Sequence, residues 1–320
     1  MIIKSLEPPI LMQQTEALSR RLSPHHSKKA EVNESARRLR AGYNGEKSLD
    51  FHLRFLQDDA FHILHNIRIP DENDFFQMDN LINSRQLILI NEVKNISGTV
   101  IYDEFGQAIR IRENGKEENM GNHLEQVNLQ HSRLLRLMRN YNLPPIPIEK
   151  LITYSNPNTI IKNITNNKSV ANMVIHKEQL LTRISDFARK HHAVCYTDEQ
   201  LQRLSDLLIA LHTPKQVNIL EKFHVMCEQI QYGVICPDCG ALPMIYSGAK
   251  WNCAPCGATS KVAYLDALQD LCLLFGGEVS IRQIMQFLRL DGRYITYRLM
   301  KKAGFERLGD NKGSRYILKF

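Results

Sequence analysis

With 320 residues, 43% apolar and 23% charged, the chain is long enough for two or three domains and too apolar for wholesale disorder. Its longest apolar runs fall far short of a membrane span, and prolines and an acid interrupt the N-terminal stretch MIIKSLEPPILMQQ, so neither a membrane nor a secreted protein is expected, but a cytoplasmic one. A net charge of +7 favours an anionic partner, and seven cysteines, four of them in two Cys-x-x-Cys pairs, point to metal before disulfide in a reducing compartment.

Residues 1–40 are polar and basic and end in ARRLRAG; residues 1–37 are read as an N-terminal extension. Arg37, Arg38 and Arg40 could touch phosphate or line a solvated helix face. Residues 38–165 read as a mixed α/β domain. A helix is expected from about Glu46, with Leu49, Leu53 and Leu56 at the helical period. FHILHNIRI (61–69) is a strand, and FQMDNLINS (76–84) and QLILINEVKN (86–95) are two more joined by a short connection. A hairpin with turns at Phe105-Gly106 and Asn114-Gly115 follows, then a helix over 122–140 and a strand in KLITYSN. Residues 166–232 form a helical spacer, in which Thr197 or Asp198 caps YTDEQLQRLSDLLIALH.

Cys236-Pro-Asp-Cys239 and Cys253-Ala-Pro-Cys256 each place two thiolates on a tight knuckle followed by a glycine. Together they can close a tetrahedral four-sulfur zinc site over residues 233–262. A disulfide switch and an iron–sulfur cluster are the alternatives. The segment resembles the zinc ribbon at the tail of bacterial type I topoisomerases, which implies contact with single-stranded nucleic acid. Residues 263–320 read as helix, helix, helix and hairpin, the order of a winged helix-turn-helix, with a capping box at Ser280 and Gln283. Arg293, Arg298, Lys301, Lys302, Lys312 and Arg315 would supply charge to a nucleic acid. The same fold used for protein contact is the alternative.

Within INEVKN (90–95), strand alternation puts Glu92 and Lys94 on one face, directly after the apolar run 87–90. Asp79 on the preceding strand can face Glu92 across an antiparallel ladder. Two adjacent carboxylates repel each other unless a cation lies between them, and Mg²⁺ (or Mn²⁺) suits a site with few acids and open water positions. An exposed ion pair is the bland explanation. Asp followed by Glu-x-Lys is the pattern of the PD-(D/E)xK nucleases.

GYNGEKSLDFHL, LHNIRIP, QMDNLI, INEVKNISG and NHLEQVNLQH occur in order at spacings similar to those of the nuclease-related domain (NERD) family, and PIEKLITYSN resembles its closing strand. The resemblance covers residues 38–160 or so. It implies a restriction-endonuclease-like fold, a mixed sheet flanked by helices, with Mg²⁺-dependent nuclease activity. Carried over, Glu46 is the helix-borne acid, Asp79 and Glu92 are the metal-binding acids, Lys94 is the catalytic lysine, and Gln126 is the glutamine of the helix after the sheet. Asn80 stands where the family often has histidine, and His123 where it commonly has proline. The expectation is a nuclease acting on nucleic acid, DNA foremost, for which a homodimer would suit cutting of both strands. A nuclease fold that binds without cutting, and an adaptor for protein contacts, are the alternatives.

Overall fold

The structure, a computed structural model, describes residues 1–56, 60–309 and 313–320. The chain forms two compact units: Met1–Glu7 with Arg40–Lys215, and Pro8–Leu39 with Gln216–Phe320. Residues 1–37, read above as an extension, are therefore divided between both. Strand β1 (Ile2–Lys4) joins the main sheet of the first unit, helix α1 (Ile10–Arg21) belongs to the second, and α2 (Lys29–Lys47) has residues in each.

The first unit continues through α3 (Asp50–Leu53), β2 (His62–Asp71), β3 (Asp74–Asn83), β4 (Ile88–Lys94), β5 (Gly98–Tyr102), β6 (Ala108–Ile111) and β7 (Glu117–Asn119). Helix α4 (His123–Asn140), β8 (Ile148–Tyr154), β9 (Thr159–Asn163), α5 (Lys168–Met173), β10 (Val174–His176), α6 (Leu180–Lys190) and α7 (Asp198–Leu211) complete it. Six strands form a mixed sheet in the order β1-β2-β3-β4-β8-β10, in which β2, β3 and β4 are antiparallel and β8 runs parallel to β4. A parallel neighbour requires a crossover, and β5 to β7 with α4 supply it. Strands β7-β6-β5-β9 make a smaller sheet.

Alternation along the strands gives the main sheet two apolar faces. Leu64, Leu81 and Ile90 pack with Leu134 and Met138 of α4 and Leu204 and Leu208 of α7. On the other face, Ile63, Ile82, Leu89 and Leu151 pack with Leu49, Leu53 and, from α6, Leu180 and Ile184. Asn80 and Asn91 are completely buried, one residue out of phase with Asp79 and Glu92 and so on the opposite face. Asn91 donates to Asn80 Oδ1 (3.4 Å) and accepts from Thr153 Oγ1 (2.5 Å), so a hydrogen-bonded polar row replaces what would be unpaired buried amides.

The helix expected to begin at Glu46 does not begin there. Helix α2 ends at Lys47, residues 48 and 49 turn, and the next helix is the short α3. The periodic leucines reflect burial of Leu49 and Leu53 against the sheet, and a chain that turns can achieve that as readily as one long helix.

In the second unit, α1 packs on α9 (Tyr264–Phe275), with α8 (Ile219–Phe223) alongside α1, around a core that includes Ala17, Leu18, Leu22, Phe223, Leu268 and Trp251. The buried Arg21 guanidinium donates to Asp270 (2.8 Å) and to the carbonyl of Gly233 (2.5 Å), so this charge is both paired and hydrogen-bonded. Strands β11 (Ile245–Ser247), β12 (Lys250–Asn252) and β13 (Thr259–Ser260) form a small antiparallel sheet between and beyond the cysteine pairs. The tail runs β14 (Glu278–Ser280), α10 (Ile281–Leu288), α11 (Arg293–Ala303), β15 (Glu306–Leu308) and β16 (Arg315–Ile317), with sheet order β14-β16-β15. It therefore holds a strand, β14, that the expected order of three helices and a hairpin lacked. The capping box is present: Ser280 Oγ accepts from Gln283 N, and Gln283 Oε1 accepts from Ser280 N.

Candidate functional site

The β3–β4 register runs from Asn83↔Ile88 to Asn80↔Asn91, and its next step sets Asp79 opposite Glu92. The backbone ladder lapses at that step. Asp79 Oδ2 instead accepts from the backbone N–H of Val93 (2.9 Å), so a side chain closes the end of the ladder. On the other side of β3, pairing with β2 skips Asn66, which has φ 54°, a left-handed conformation that asparagine tolerates better than most residues. Asn66 thereby presents its amide to the Glu46 carboxylate (3.1 Å) while accepting from Gln77 Nε2 (2.6 Å).

Glu92 is 5% exposed and its carboxylate is well supplied with donors. Lys94 Nζ (2.7 Å) and Gln126 Nε2 (2.6 Å) both donate to Oε1, and Gln130 Nε2 (2.8 Å) donates to Oε2. Lys94 also donates to Gln126 Oε1 (2.9 Å). Helix α4 delivers both glutamines from one face, since four residues are one helical turn. Its start is fixed by Asn122, whose Oδ1 accepts from Glu125 N (3.0 Å). His123 occupies the first helical position, where proline is also favoured because the N–H there lacks an intrahelical partner. Its buried ring bonds the hydroxyls of Tyr102 (3.1 Å) and Tyr154 (3.2 Å), and burial lowers its pKa to about 4.

Glu46 enters from the last turn of α2, at the negative end of the helix dipole, which disfavours a carboxylate. It reaches the sheet because of Gly45. A Cβ there would stand 2.6 Å from Asn95 Cβ and 2.7 Å from Ser155 Oγ, so only glycine lets α2 approach the ends of β4 and β8 this closely. Burial, then the charges of Asp79 and Glu92, push the Glu46 carboxyl up to about 9. Burial and Glu92 push Asp79 up to about 7, against the opposing pull of the Val93 hydrogen bond and Lys94. Burial and the neighbouring Glu92 charge therefore resist ionisation of Glu46 and Asp79, and a cation among these groups would remove that penalty. Among the described residues the acids are not the tightest set of potential ligands: only Cys236, Cys239, Cys253 and Cys256 bring donor atoms within 4.8 Å of one another.

In that cluster the two knuckles are equivalent. Cys236 N donates to Ala241 O and Gly240 N to Cys236 O, and the same pair of bonds recurs at Cys253, Gly257 and Ala258. Gly240 and Gly257 both have φ 73°. Sulfur–sulfur distances of 3.7 Å (Cys236–Cys256) and 3.5 Å (Cys239–Cys253) are far too long for disulfides. They approach the roughly 3.8 Å separation that four sulfurs at about 2.3 Å from a zinc would have. The cluster can hold zinc.

The basic residues of the tail fall into three groups. Arg293, Arg298, Lys301 and Lys302 are exposed on α11, opposite its buried Thr296, Leu299 and Met300. Arg315 pairs with Glu278 (3.2 Å). Lys312 lies outside the described residues.

Sequence reasoning brought together Glu46, Asp79, Glu92, Lys94 and Gln126, and it missed Asn66, Gln77 and Gln130 as their partners. For Gln130 the available signal was its place one turn after Gln126. For Asn66 there was none beyond the tolerance of asparagine for positive φ. No helix among the described residues is long and apolar enough to cross a membrane. No curated protein and no solved structure matches the chain. Residues 41–155 match the family model of the nuclease-related domain, a stretch that contains Glu46, both acid-bearing strands and α4. The first unit thus carries a stretch that matches the nuclease-related domain, which supports a nuclease or nucleic-acid-related function.

Proposed function

We propose that the domain of residues 41–155 is a divalent-metal-dependent nuclease that hydrolyses phosphodiester bonds, with DNA the favoured substrate, and that the second unit adds affinity for the nucleic acid. The observation that carries this reading is the convergence of Glu46, Asp79 and Glu92, mutually unfavourable as anions, beside a lysine held at 2.7 Å from one of them. Such a set of hard oxygen donors suits Mg²⁺ or Mn²⁺. When bound, the cation polarises the phosphodiester and acidifies a coordinated water.

The protein's own groups do the rest. Asp79 and Glu92 would hold the cation, and Glu46 supplies a third acid whose carboxyl burial and the neighbouring charges push up to about 9. Lys94, fixed between Glu92 and Gln126, has an ammonium suited to orienting the attacking water and offsetting charge on the phosphorane. Gln126 bridges Lys94 and Glu92, so it sets the lysine's position relative to the acid.

In the second unit, a four-cysteine zinc site leaves no open coordination position, so its part is structural. The tail serves as a winged helix, with α11 and Arg315 directed to phosphates. A second reading has one observation in its favour. Both oxygens of Glu92 already accept hydrogen bonds, as they would in a nuclease fold that binds nucleic acid without cutting it. Incubation of the protein with labelled linear, circular and single-stranded DNA and with RNA, under Mg²⁺, Mn²⁺ or chelator, separates the two. Metal-dependent cleavage of any substrate supports the nuclease; salt-sensitive binding with no cleavage under either metal supports the silent fold.

A further inference from the structure

Gln130 sits at the centre of the acid site without a part in the chemistry just described. It is 6% exposed, and its Nε2 donates both to Glu92 Oε2 on β4 (2.8 Å) and to the backbone carbonyl of Gln77 on β3 (2.9 Å). One amide thus ties α4 to the two strands that carry Asp79 and Glu92, with its strand contact only two residues from Asp79. Its Oε1 is buried with no hydrogen-bond partner, which is costly for an amide and rare unless the atom has a use.

A carboxylate offers about four lone-pair sites. Lys94 and Gln126 fill both on Oε1 of Glu92, and Gln130 takes one of the two on Oε2. The remaining direction, on Oε2, is what the carboxylate can offer to a cation, and Gln130 is the group that fixes it. We propose that Gln130 is a positioning residue for the metal site: it locks Glu92 so that Oε2 presents a single ligand direction beside Asp79, and its buried Oε1 accepts a hydrogen bond from a water on the cation. This rests on the reading of Asp79 and Glu92 as metal ligands. Outer partners of metal-binding carboxylates typically change affinity or activity by about 10–100-fold when removed.

The test is Mn²⁺ binding to the full-length protein, measured by electron paramagnetic resonance and calorimetry, for wild type, Gln130→Met, Gln130→Asn and Asp79→Asn. Circular dichroism and thermal melts report folding. Methionine keeps the volume and loses both polar atoms; asparagine keeps the amide but withdraws it by one methylene. The expected result is one Mn²⁺ site in the wild type, an affinity about tenfold weaker in both Gln130 variants, and an altered Mn²⁺ spectrum, a signature that a purely packing role would not move. Should Gln130→Met prove unstable, Gln130→Asn alone decides. If a folded Gln130 variant binds Mn²⁺ within twofold of wild type with an unchanged spectrum while Asp79→Asn binds none, the role of Gln130 is refuted and the metal site stands. If the wild type and Asp79→Asn bind alike, the metal site and the role of Gln130 fall together.

Discussion

The cysteine cluster of the second unit and the acid cluster of the first solve opposite problems with opposite means. Four identical soft ligands stand on two equivalent knuckles, with sulfurs already 3.5–3.7 Å apart across the site, a geometry that could enclose one ion with no position left open. The acids come from three different elements, sit in unequal surroundings, and are mixed with a lysine and two glutamines. A closed symmetrical set suits stabilising a fold; an open asymmetrical one, with a cation bound as proposed, would leave coordination positions for water and phosphate. The contrast also shows where each cluster stores its cost. The thiols lie on turns that glycines allow, whereas the acids carry an electrostatic penalty that only a cation or a proton relieves.

The largest effect expected from breaking this contrast is removal of zinc. Structural zinc contributes an apparent free energy of about 10–16 kcal/mol in small zinc domains. Strong chelation, or Cys236→Ser, should therefore disorder the ribbon, with loss of one equivalent of zinc by mass spectrometry and a separate low-temperature melting transition. Asp79→Asn should retain that zinc in full. Equal zinc loss in both variants would contradict the separation of the two sites.

Next is Gly45→Ala. Alanine favours a helix by about 1 kcal/mol over glycine, so helix propensity alone predicts a slightly more stable protein. The contacts of 2.6 and 2.7 Å say otherwise: α2 must retreat from Asn95 and Ser155 and carry Glu46 with it. A displacement on the order of 1 Å can cost about 10²-fold in rate, which steady-state cleavage assays would detect. Unchanged cleavage would show that Glu46 is not needed where it stands.

This glycine also marks what the sequence could and could not reveal. Asp79, Glu92 and Lys94 were legible because strand alternation and an antiparallel register are simple counting rules, and the observed register obeys them. The cysteine pairs were legible for the same reason, since spacing alone defines a knuckle. Glu46 was found through resemblance but assigned to the start of a helix when it lies at the end of one. Leucine periodicity cannot distinguish a continuing helix from a turn that buries the same side chains. The role of α1 in the second core was also hidden: in MQQTEALSRR the residues that matter, Ala17, Leu18 and Arg21, lie in a stretch read as part of a polar, basic extension. Asn66 and Gln130 depend on a local backbone break and a tertiary contact, and no local pattern encodes either.

A smaller effect is the response to pH. In the folded protein Asp79 keeps its proton to about 7 and Glu46 to about 9, whereas unfolded carboxyls lose theirs near pH 4. The folded state therefore binds more protons across this interval, so stability without a divalent cation should fall as pH rises from about 4, through the Asp79 value and on towards that of Glu46. Melting temperatures at pH 5 to 9 should show this decline, with a shallower slope in Asp79→Asn and in wild type with Mn²⁺. An identical slope in all three would mean that the acids are not coupled as described.

The most direct test of the central claim compares wild type, Asp79→Ala and Lys94→Ala for cleavage of labelled DNA under Mg²⁺ and under chelator, with binding measured in parallel by fluorescence anisotropy. The account predicts metal-dependent cleavage by the wild type, a fall of about 10²–10⁴-fold in each variant, and nearly unchanged binding, since the proposal assigns most of the affinity to the second unit. Cleavage that persists in both variants, or that never occurs in a wild type that binds DNA, would contradict it.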